Sequence, residues 1–265
     1  MYIDSHAHLL KKEYGNNLKF VIEDSEKTLF AVNNIAYNMK SSREVVSLSQ
    51  NNPLFGSVGI HPYDAFPIDK PSEEELATLA SYKKIIAIGE IGLDYFRNIT
   101  SFSLQKKIFK KQIIIAKSLN MPFIVHSRNA FDDTISIITS VGYLNGVFHS
   151  FDYGPKEAKK VIDLGMYISF SGMLTFKKRE NLREAAKIVP INKVLLETDS
   201  PYLAPVPERG KKNLPIFVKY IYAEFANLRN ISQDELQCII VKNFKNIFQK
   251  SKKILMKKEA LCLKS

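Results

Sequence analysis

A regular alternation of short apolar runs with helix-like segments constrains the fold of this chain more than any other sequence feature. Near-continuous apolar runs, such as IIAIG at 85–89 and KVLLET at 193–198, are typical of strands covered on both faces. Parallel strands require crossover connections, which the intervening helical segments would supply. The sequence therefore predicts an α/β protein with eight parallel strands, near 2–4, 29–32, 54–60, 85–89, 121–125, 146–148, 166–170 and 193–198.

Capping patterns and apolar stripes predict the connecting helices. Ser72 and Glu75 form a capping-box signature, and Ser103 precedes an apolar stripe at spacings of three and four residues. Ser232 and Glu235 mark the start of a late helix. The predicted helices lie near 41–50, 72–80, 104–119, 129–140, 155–164 and 179–188, followed by one after Pro215 and one after Ser232.

Residues of the kinds that bind metals close six of the eight strand-like runs. They are His6 and His8 after the first run, His61 after the third, Glu90 after the fourth, His126 after the fifth, His149 after the sixth and Asp199 after the eighth. In a closed barrel these ends ring one mouth, whereas in an open doubly wound sheet they would lie too far apart for one metal site. We therefore predict a single (β/α)₈ TIM barrel over residues 1–249, with an additional C-terminal helix and a basic tail over 250–265.

The composition is that of an ordinary globular protein. The chain is 45% hydrophobic and 25% charged, and no apolar run approaches the roughly 20 residues that span a bilayer. No leader-like pattern precedes Asp4, and Cys238 and Cys262 form no CxxC motif. We expect a cytoplasmic monomer that does not associate with membranes.

An excess of positive charge favours a polyanionic partner. The formal net charge is +11, and the tail contains six lysines and one glutamate. Basic groups also follow strands five and eight, at Arg128, Arg209 and Lys211. Arginine matches phosphate geometry and lysine supplies a point charge. These three residues and His61 are candidate substrate contacts, although runs of charge are also common on solvated faces.

The histidines and carboxylates are ligand types that suit zinc, manganese and related divalent ions, including magnesium. The set exceeds the needs of one tetrahedral ion, and two ions bridged by a carboxylate would use all of it. Glu90, central among the strands, is the candidate bridge. Asp199 is a candidate ligand and general base, with a helix cap before Pro201 as the alternative. His61 could contact substrate instead of metal.

Motifs along nearly the whole chain resemble those of the TatD family of metal-dependent deoxyribonucleases. They are DSHAHL (4–9), GIHPYD (59–64), AIGEIGLDY (87–95), IVHSRNAFDD (124–133), GVFHSFDYG (146–154), ISFSGMLTFKK (168–178), VLLETDSPYLAP (194–205) and RGKKNLP (209–215). The resemblance implies a TIM barrel, two divalent ions and hydrolysis of DNA phosphodiester bonds, often as a 3′→5′ exonuclease.

The resemblance also implies a role for each candidate residue. By position, the ligands would be His6, His8 and Asp199 for one metal, His126 and His149 for the other, and Glu90 as the bridge, with His61 and Arg128 near the substrate. The sequence departs from the family pattern, without losing a candidate ligand, at Leu10, Ser150, Asp152 and Leu214. Leu214 replaces the usual glutamate of the RGKxNEP loop and therefore bears on substrate preference.

The sequence thus predicts a hydrolase that cleaves DNA phosphodiester bonds through a water bridged by two divalent metals. Two alternatives stay open at this point. One is a barrel hydrolase that acts on an ester or amide, such as an aminoacyl ester on tRNA. The other is a barrel that binds nucleic acid without catalysis, although binding alone needs no bridging carboxylate.

Overall fold

The computed structural model describes residues 1–67, 70–97 and 99–262. Its eight parallel strands form one sheet in chain order, so each strand pairs with its sequence neighbours. The strands are β1 Ile3–Ala7, β2 Ala31–Ile35, β3 Phe55–Val58, β4 Ile85–Asp94, β5 Phe123–Arg128, β6 Gly146–Phe148, β7 Tyr167–Phe170 and β8 Val194–Leu196. The predicted eight-stranded α/β architecture is confirmed.

The sheet closes between β8 and β1, which makes it a barrel. A parallel bridge joins Ala7 to Ser200, just beyond β8. The N–H of His8 donates to the carbonyl of Ser200 at 2.7 Å, and the N–H of Asp199 donates to the carbonyl of His6 at 2.9 Å. The closure brings the start of the chain beside the end of the last strand, and it confirms the (β/α)₈ barrel over the open sheet.

Helices connect the strands and cover the outside of the barrel. They are α1 Lys11–Tyr14, α2 Leu18–Thr28, α3 Met39–Asn51, α4 Lys70–Ser81, α5 Phe102–Ser118, α6 Phe131–Val141, α7 Pro155–Asp163, α8 Glu180–Ile188, α9 Val218–Arg229, α10 Gln233–Ile247 and α11 Gln249–Cys262. The hydroxyl of Ser232 accepts from the N–H of Glu235 at 3.1 Å, which confirms the predicted start of α10. Among the described residues, no helix has the length and apolar character needed to cross a membrane.

Two predicted helix starts were wrong by about half a turn. The cap of α5 is Ser101 and not Ser103, because the Ser101 hydroxyl accepts from the N–H of Leu104 at 3.3 Å. Helix α4 begins at Lys70, so Ser72 lies inside it and does not cap it. For α5, the sequence analysis had the right residue type at a position two residues too late.

Strand β4 is twice as long as predicted and contains Glu90 within it. All ten residues of Ile85–Asp94 are buried. Gly92 pairs with His126 of β5 and has a φ of 148°, and a Cβ at Gly92 would lie 1.9 Å from the carbonyl oxygen of His126. Only glycine allows this close approach of the two strands. The approach places Glu90 beside the histidine of the next strand.

The basic tail is helical and packs across the N-terminal end of the barrel. Leu255 of α11 is 1% exposed. The ammonium group of Lys250 donates to the carbonyl of Ala80 at 2.8 Å, and that of Lys258 donates to the carbonyl of Phe30 at 2.7 Å. Phe30 lies just before β2, and Ala80 lies in the last turn of α4, the helix that precedes β4, so both carbonyls are at the end of the barrel opposite the histidines. Residues 263–265 of the predicted tail lie outside the described residues.

Candidate metal centre

The two carboxylate oxygens of Glu90 divide the surrounding histidines into two groups. Oε2 lies 3.4 Å from Nε2 of His6 and 3.6 Å from Nε2 of His8. Oε1 lies 2.6 Å from Nδ1 of His126 and 2.6 Å from Nε2 of His149. Glu90 itself is 3% exposed. One buried carboxylate therefore faces two sets of imidazole nitrogens, which β1, β5 and β6 supply.

Asp199 joins the first of these groups from the end of β8. Its Oδ1 lies 3.3 Å from Nε2 of His8 and 3.7 Å from Nε2 of His6. Its φ of 56° is in the left-handed region, which aspartate tolerates better than most residues. Residues 199–203 form a bridge and turns, and no helix begins there. The helix-cap alternative for Asp199 is therefore wrong.

Hydrogen-bond acceptors behind two of the rings fix which nitrogen faces the centre. His8 donates from Nδ1 to the carbonyl of Ile35 at 3.0 Å, which leaves Nε2 without a proton. His126 donates from Nε2 to Oδ2 of Asp94 at 2.9 Å, which leaves Nδ1 without one. Acceptors in this position orient histidines that bind metals. In both rings the nitrogen that faces Glu90 is therefore the one that can bind a cation.

Glu197 is the acceptor behind the ring of His149. Its Oε1 accepts from Nδ1 of His149 at 3.2 Å and from the N–H of Ser150 at 2.6 Å. Its Oε2 accepts from the hydroxyl of Ser169 at 2.5 Å. Because Glu197 is 1% exposed and fully hydrogen-bonded, it anchors the His149 ring. In the neutral ring, Nε2 is then the nitrogen without a proton, and it points towards Glu90.

His61 lies in the same cluster with the opposite arrangement of its two nitrogens. Its Nδ1 accepts from the N–H of Tyr63 at 3.1 Å, so the proton of the neutral ring is on Nε2. That Nε2 lies 3.4 Å from Oε1 of Glu90. A protonated nitrogen donates a hydrogen bond and does not bind a cation. This arrangement suits contact with a substrate oxygen.

The charges of the cluster favour positive charge at its centre. Burial alone would lower the pKa of His149, but the charges of Glu90 and Glu197 raise it well above its ordinary value. Burial alone would raise the pKa of Glu90, but His149 and His61 hold it well below its usual range. The Nδ1 atom of His6 is buried without a hydrogen-bond partner among the described residues. Two sets of ligand atoms, those of His6, His8 and Glu90 and those of His6, His149 and Asp199, each lie within 4.8 Å of one another, and the donor set fits a divalent metal.

Sequence reasoning missed the buried carboxylates that lie behind the candidate ligands. Asp94 and Glu197 are the acceptors described above. Asp4 accepts from the N–H and the hydroxyl of Thr198, at 2.9 and 2.5 Å, and burial raises the pKa of Asp4 to about 8. Asp4 and Glu197 each lie two residues from a candidate ligand. Since alternate residues of a strand share a face, the two-residue spacing was the signal that could have found them.

The residues predicted to contact substrate differ in how close they lie to the cleft above the cluster, which has a volume of about 520 Å³ and whose lining includes His61 but neither Arg209 nor Lys211. Arg128 lines the cleft, and its guanidinium group lies 3.9 Å from the ring centre of Phe96. The guanidinium group of Arg209 lies 4.0 Å from the ring centre of Phe176, which also lines the cleft. Lys211 is 69% exposed and pairs with an acidic residue of its own loop at 2.7 Å. The cleft also contains Arg97 and Arg179.

Comparison with known proteins assigns the chain to a family. A sequence profile described as TatD related DNase matches residues 3–249. The uncharacterised metal-dependent hydrolase YcfH of Escherichia coli K12 is 38% identical over 255 residues, which cover 93% of this chain and 95% of YcfH. The chain belongs to the TatD family. The uncharacterised metal-dependent hydrolase YabD of Bacillus subtilis is 33% identical over 256 residues, which cover 94% of this chain and 99% of YabD.

A solved TatD structure has the same fold. The crystal structure of YJJV, a TatD homologue from Escherichia coli K12, superposes with a TM-score of 0.85 at 25% identity and covers 94% of this chain and 98% of that one. Membership of the TatD family makes this chain a metal-dependent hydrolase. The histidine and carboxylate cluster is its candidate metal site.

Proposed function

We propose that this TatD-family protein hydrolyses phosphodiester bonds at the ends of DNA strands, as a 3′→5′ exonuclease that uses two divalent cations. The observation that carries the proposal is the division of the histidines between the two oxygens of Glu90. A carboxylate can bridge two cations when each oxygen faces its own set of ligands. Magnesium, manganese and zinc are the candidate ions.

The residues that would hold the cations are His6, His8 and Asp199 for one, His126 and His149 for the other, and Glu90 for both. When bound, the cations would activate a water molecule and stabilise charge on the attacking and leaving oxygens. The carboxylate of Asp199 would take the proton from that water. Asp94 and Glu197 would hold two of the imidazole rings in the required orientation.

Basic groups around the cleft support a polyanionic substrate. We infer that Nε2–H of His61 and the guanidinium group of Arg128 contact the phosphate at the cleavage point, since both line the cleft. Arg209 and Lys211, farther out, would contact phosphates along the strand. The aromatic rings beneath both arginines restrict the guanidinium groups, so less conformational entropy is lost when phosphate binds.

We further propose that the protein acts as a cytoplasmic monomer whose hydrolase domain comprises residues 1–249. The family match over residues 3–249 and the absence of a CxxC motif support this. Size-exclusion chromatography with light scattering should give the mass of one chain. A stable dimer at micromolar concentration would contradict the monomer.

The test of the function is incubation of the purified protein with end-labelled single-stranded and double-stranded DNA and RNA, each with Mg²⁺, Mn²⁺, Zn²⁺ or a chelator. We expect metal-dependent release of mononucleotides from DNA 3′ ends, and no release by Glu90→Gln. Intact oligonucleotides that nevertheless bind tightly would favour the non-catalytic alternative. Intact oligonucleotides together with deacylation of aminoacyl-tRNA would favour the ester hydrolase.

A further inference from the structure

We propose that Glu13 is a specificity residue that accepts a hydrogen bond from the free 3′-hydroxyl of the terminal nucleotide. The inference rests on the proposed function and adds a residue that recognises the end of the strand. Glu13 lies on α1, the short helix that follows β1, and it lines the cleft above the candidate metal centre.

Two tyrosine hydroxyls hold the carboxylate of Glu13. The hydroxyl of Tyr202 donates to Oε2 at 3.1 Å, and the hydroxyl of Tyr37 donates to Oε1 at 3.4 Å. Burial and the negative charge of Glu13 raise the pKa of both tyrosines, so both hydroxyls remain protonated donors. Each carboxylate oxygen retains lone pairs for a further donor. The carboxylate is therefore fixed in position and still able to accept a hydrogen bond.

The same tyrosines place Glu13 close to the candidate ligand His8. The ring centres of Tyr37 and Tyr202 lie 6.0 and 5.9 Å from the ring centre of His8. One layer of side chains thus separates the Glu13 carboxylate from the histidine cluster. A group on the nucleotide next to the cleaved bond would reach Glu13, whereas the phosphate at the metal centre would not.

Two of the arginines that line the cleft lie on the side away from Glu13. Glu13 lies over β1, whereas Arg97 follows β4 and Arg128 ends β5, on the opposite side of the eight-stranded ring. Two ammonium groups near Glu13 are directed elsewhere than its carboxylate: that of Lys12 lies 5.2 Å from the ring centre of Tyr37, and that of Lys212 donates to the backbone carbonyl of Glu13. A phosphate next to the Glu13 carboxylate would be repelled, whereas a hydroxyl would donate to it.

The positions of Glu13 and of the arginines set the direction in which a strand would lie in the cleft. The phosphates of the remaining strand leave over Arg97 and Arg128, whose guanidinium groups would bind them. The terminal nucleotide, which carries a hydroxyl and no further phosphate, lies between the histidine cluster and Glu13. The end of a strand fits this arrangement, and an internal segment would bring a phosphate against a carboxylate.

The experiment compares three oligonucleotides of one sequence that end in a 3′-hydroxyl, a 3′-hydrogen or a 3′-phosphate. Because a hydrogen bond to a charged group is typically worth about tenfold or more, we expect kcat/KM to fall about tenfold for the 3′-hydrogen substrate and further for the 3′-phosphate. Glu13→Ala should remove both differences. Glu13→Gln, which still accepts a hydrogen bond, should lose mainly the exclusion of the 3′-phosphate.

Glu44→Gln is the matched control, since Glu44 of the neighbouring α3 accepts from the N–H of Lys11 outside the cleft. It should behave as the wild type does. Equilibrium binding of the three oligonucleotides, measured by fluorescence anisotropy without added metal, should follow the same order. If Glu13→Ala does not fold by circular dichroism, Glu13→Gln provides the test.

Discrimination that persists in both Glu13 variants, or a wild type that treats the three ends alike, would overturn the inference and leave the proposed function intact. A wild type that hydrolyses no oligonucleotide would overturn both. The two failures are therefore distinguishable in one set of measurements.

Discussion

Charged side chains have different surroundings at the two ends of the barrel. At the C-terminal end, all five histidines of the sequence gather around the buried Glu90. At the N-terminal end, Lys250 donates to a backbone carbonyl in the last turn of α4, and Lys258 donates to one just before β2. Ligand atoms at the first end face one another and could hold a cation between them, whereas the two ammonium groups at the second end already donate to carbonyls. The first end is suited to chemistry and the second to stability.

The largest effect on activity should follow from neutralising the charge at the centre of the histidine cluster. Glu90→Gln keeps the volume of the side chain but removes the negative charge that would hold two cations close together. We expect turnover to be abolished while circular dichroism and Tm show a folded barrel. Near-normal rates in this variant would show that Glu90 does not bridge.

A smaller loss of turnover should follow from Asp199→Asn. Loss of a general base typically costs about 10²–10⁴-fold, and weaker metal binding would add to it. Steady-state kinetics should show that kcat falls much more than substrate binding weakens. Equal losses in both would identify Asp199 as a substrate contact instead.

Removal of the hydrogen-bond acceptors behind the histidine rings should have a smaller effect than changes to Glu90 or Asp199. Asp94→Asn and Glu197→Gln should each weaken metal affinity by about 10–100-fold, because they release the rings of His126 and His149. Titration of Mn²⁺ or Zn²⁺ by calorimetry measures this. Asp132→Asn, at a side chain of α6 that is 91% exposed, is the control and should bind as the wild type does. Unchanged affinity in both Asp94→Asn and Glu197→Gln would contradict the assignment.

The smallest effect on activity should come from the opposite end of the barrel. Leu255→Ala leaves a cavity beneath α11 and should lower the free energy of unfolding by about 2–5 kcal/mol. Turnover per folded molecule should not change. Met256→Ala, at a site 53% exposed, should alter neither quantity. A folded Leu255→Ala protein without activity would show that the two ends are coupled.

The sequence was sufficient to predict the barrel and the cluster because both depend on local patterns. Strand-like runs can be recognised along the chain, and closure of the barrel then brings their polar ends together. The full length of β4 could not be predicted, since it depends on how closely Gly92 approaches His126. The role of Asp94 depends on a hydrogen bond to a residue 32 positions away.

The packing of the C-terminal tail on the barrel could not be predicted either, for the same reason. The lysines around Leu255 give residues 250–265 the composition of a charged, exposed segment. The sequence does not show that Lys250 and Lys258 bind the carbonyls of Ala80 and Phe30. The hydrogen bonds from Tyr37 and Tyr202 to Glu13 likewise join three segments that are far apart in the sequence. Contacts between distant segments have no periodic signal in the sequence.

Metal stoichiometry tests the central claim most directly. Elemental analysis of the wild-type protein, after saturation with Mn²⁺ or Zn²⁺ and removal of free metal, should give two ions per chain. The Glu90→Gln protein, treated in parallel, should retain fewer. At most one ion per wild-type chain at saturation would contradict a centre in which Glu90 bridges two cations.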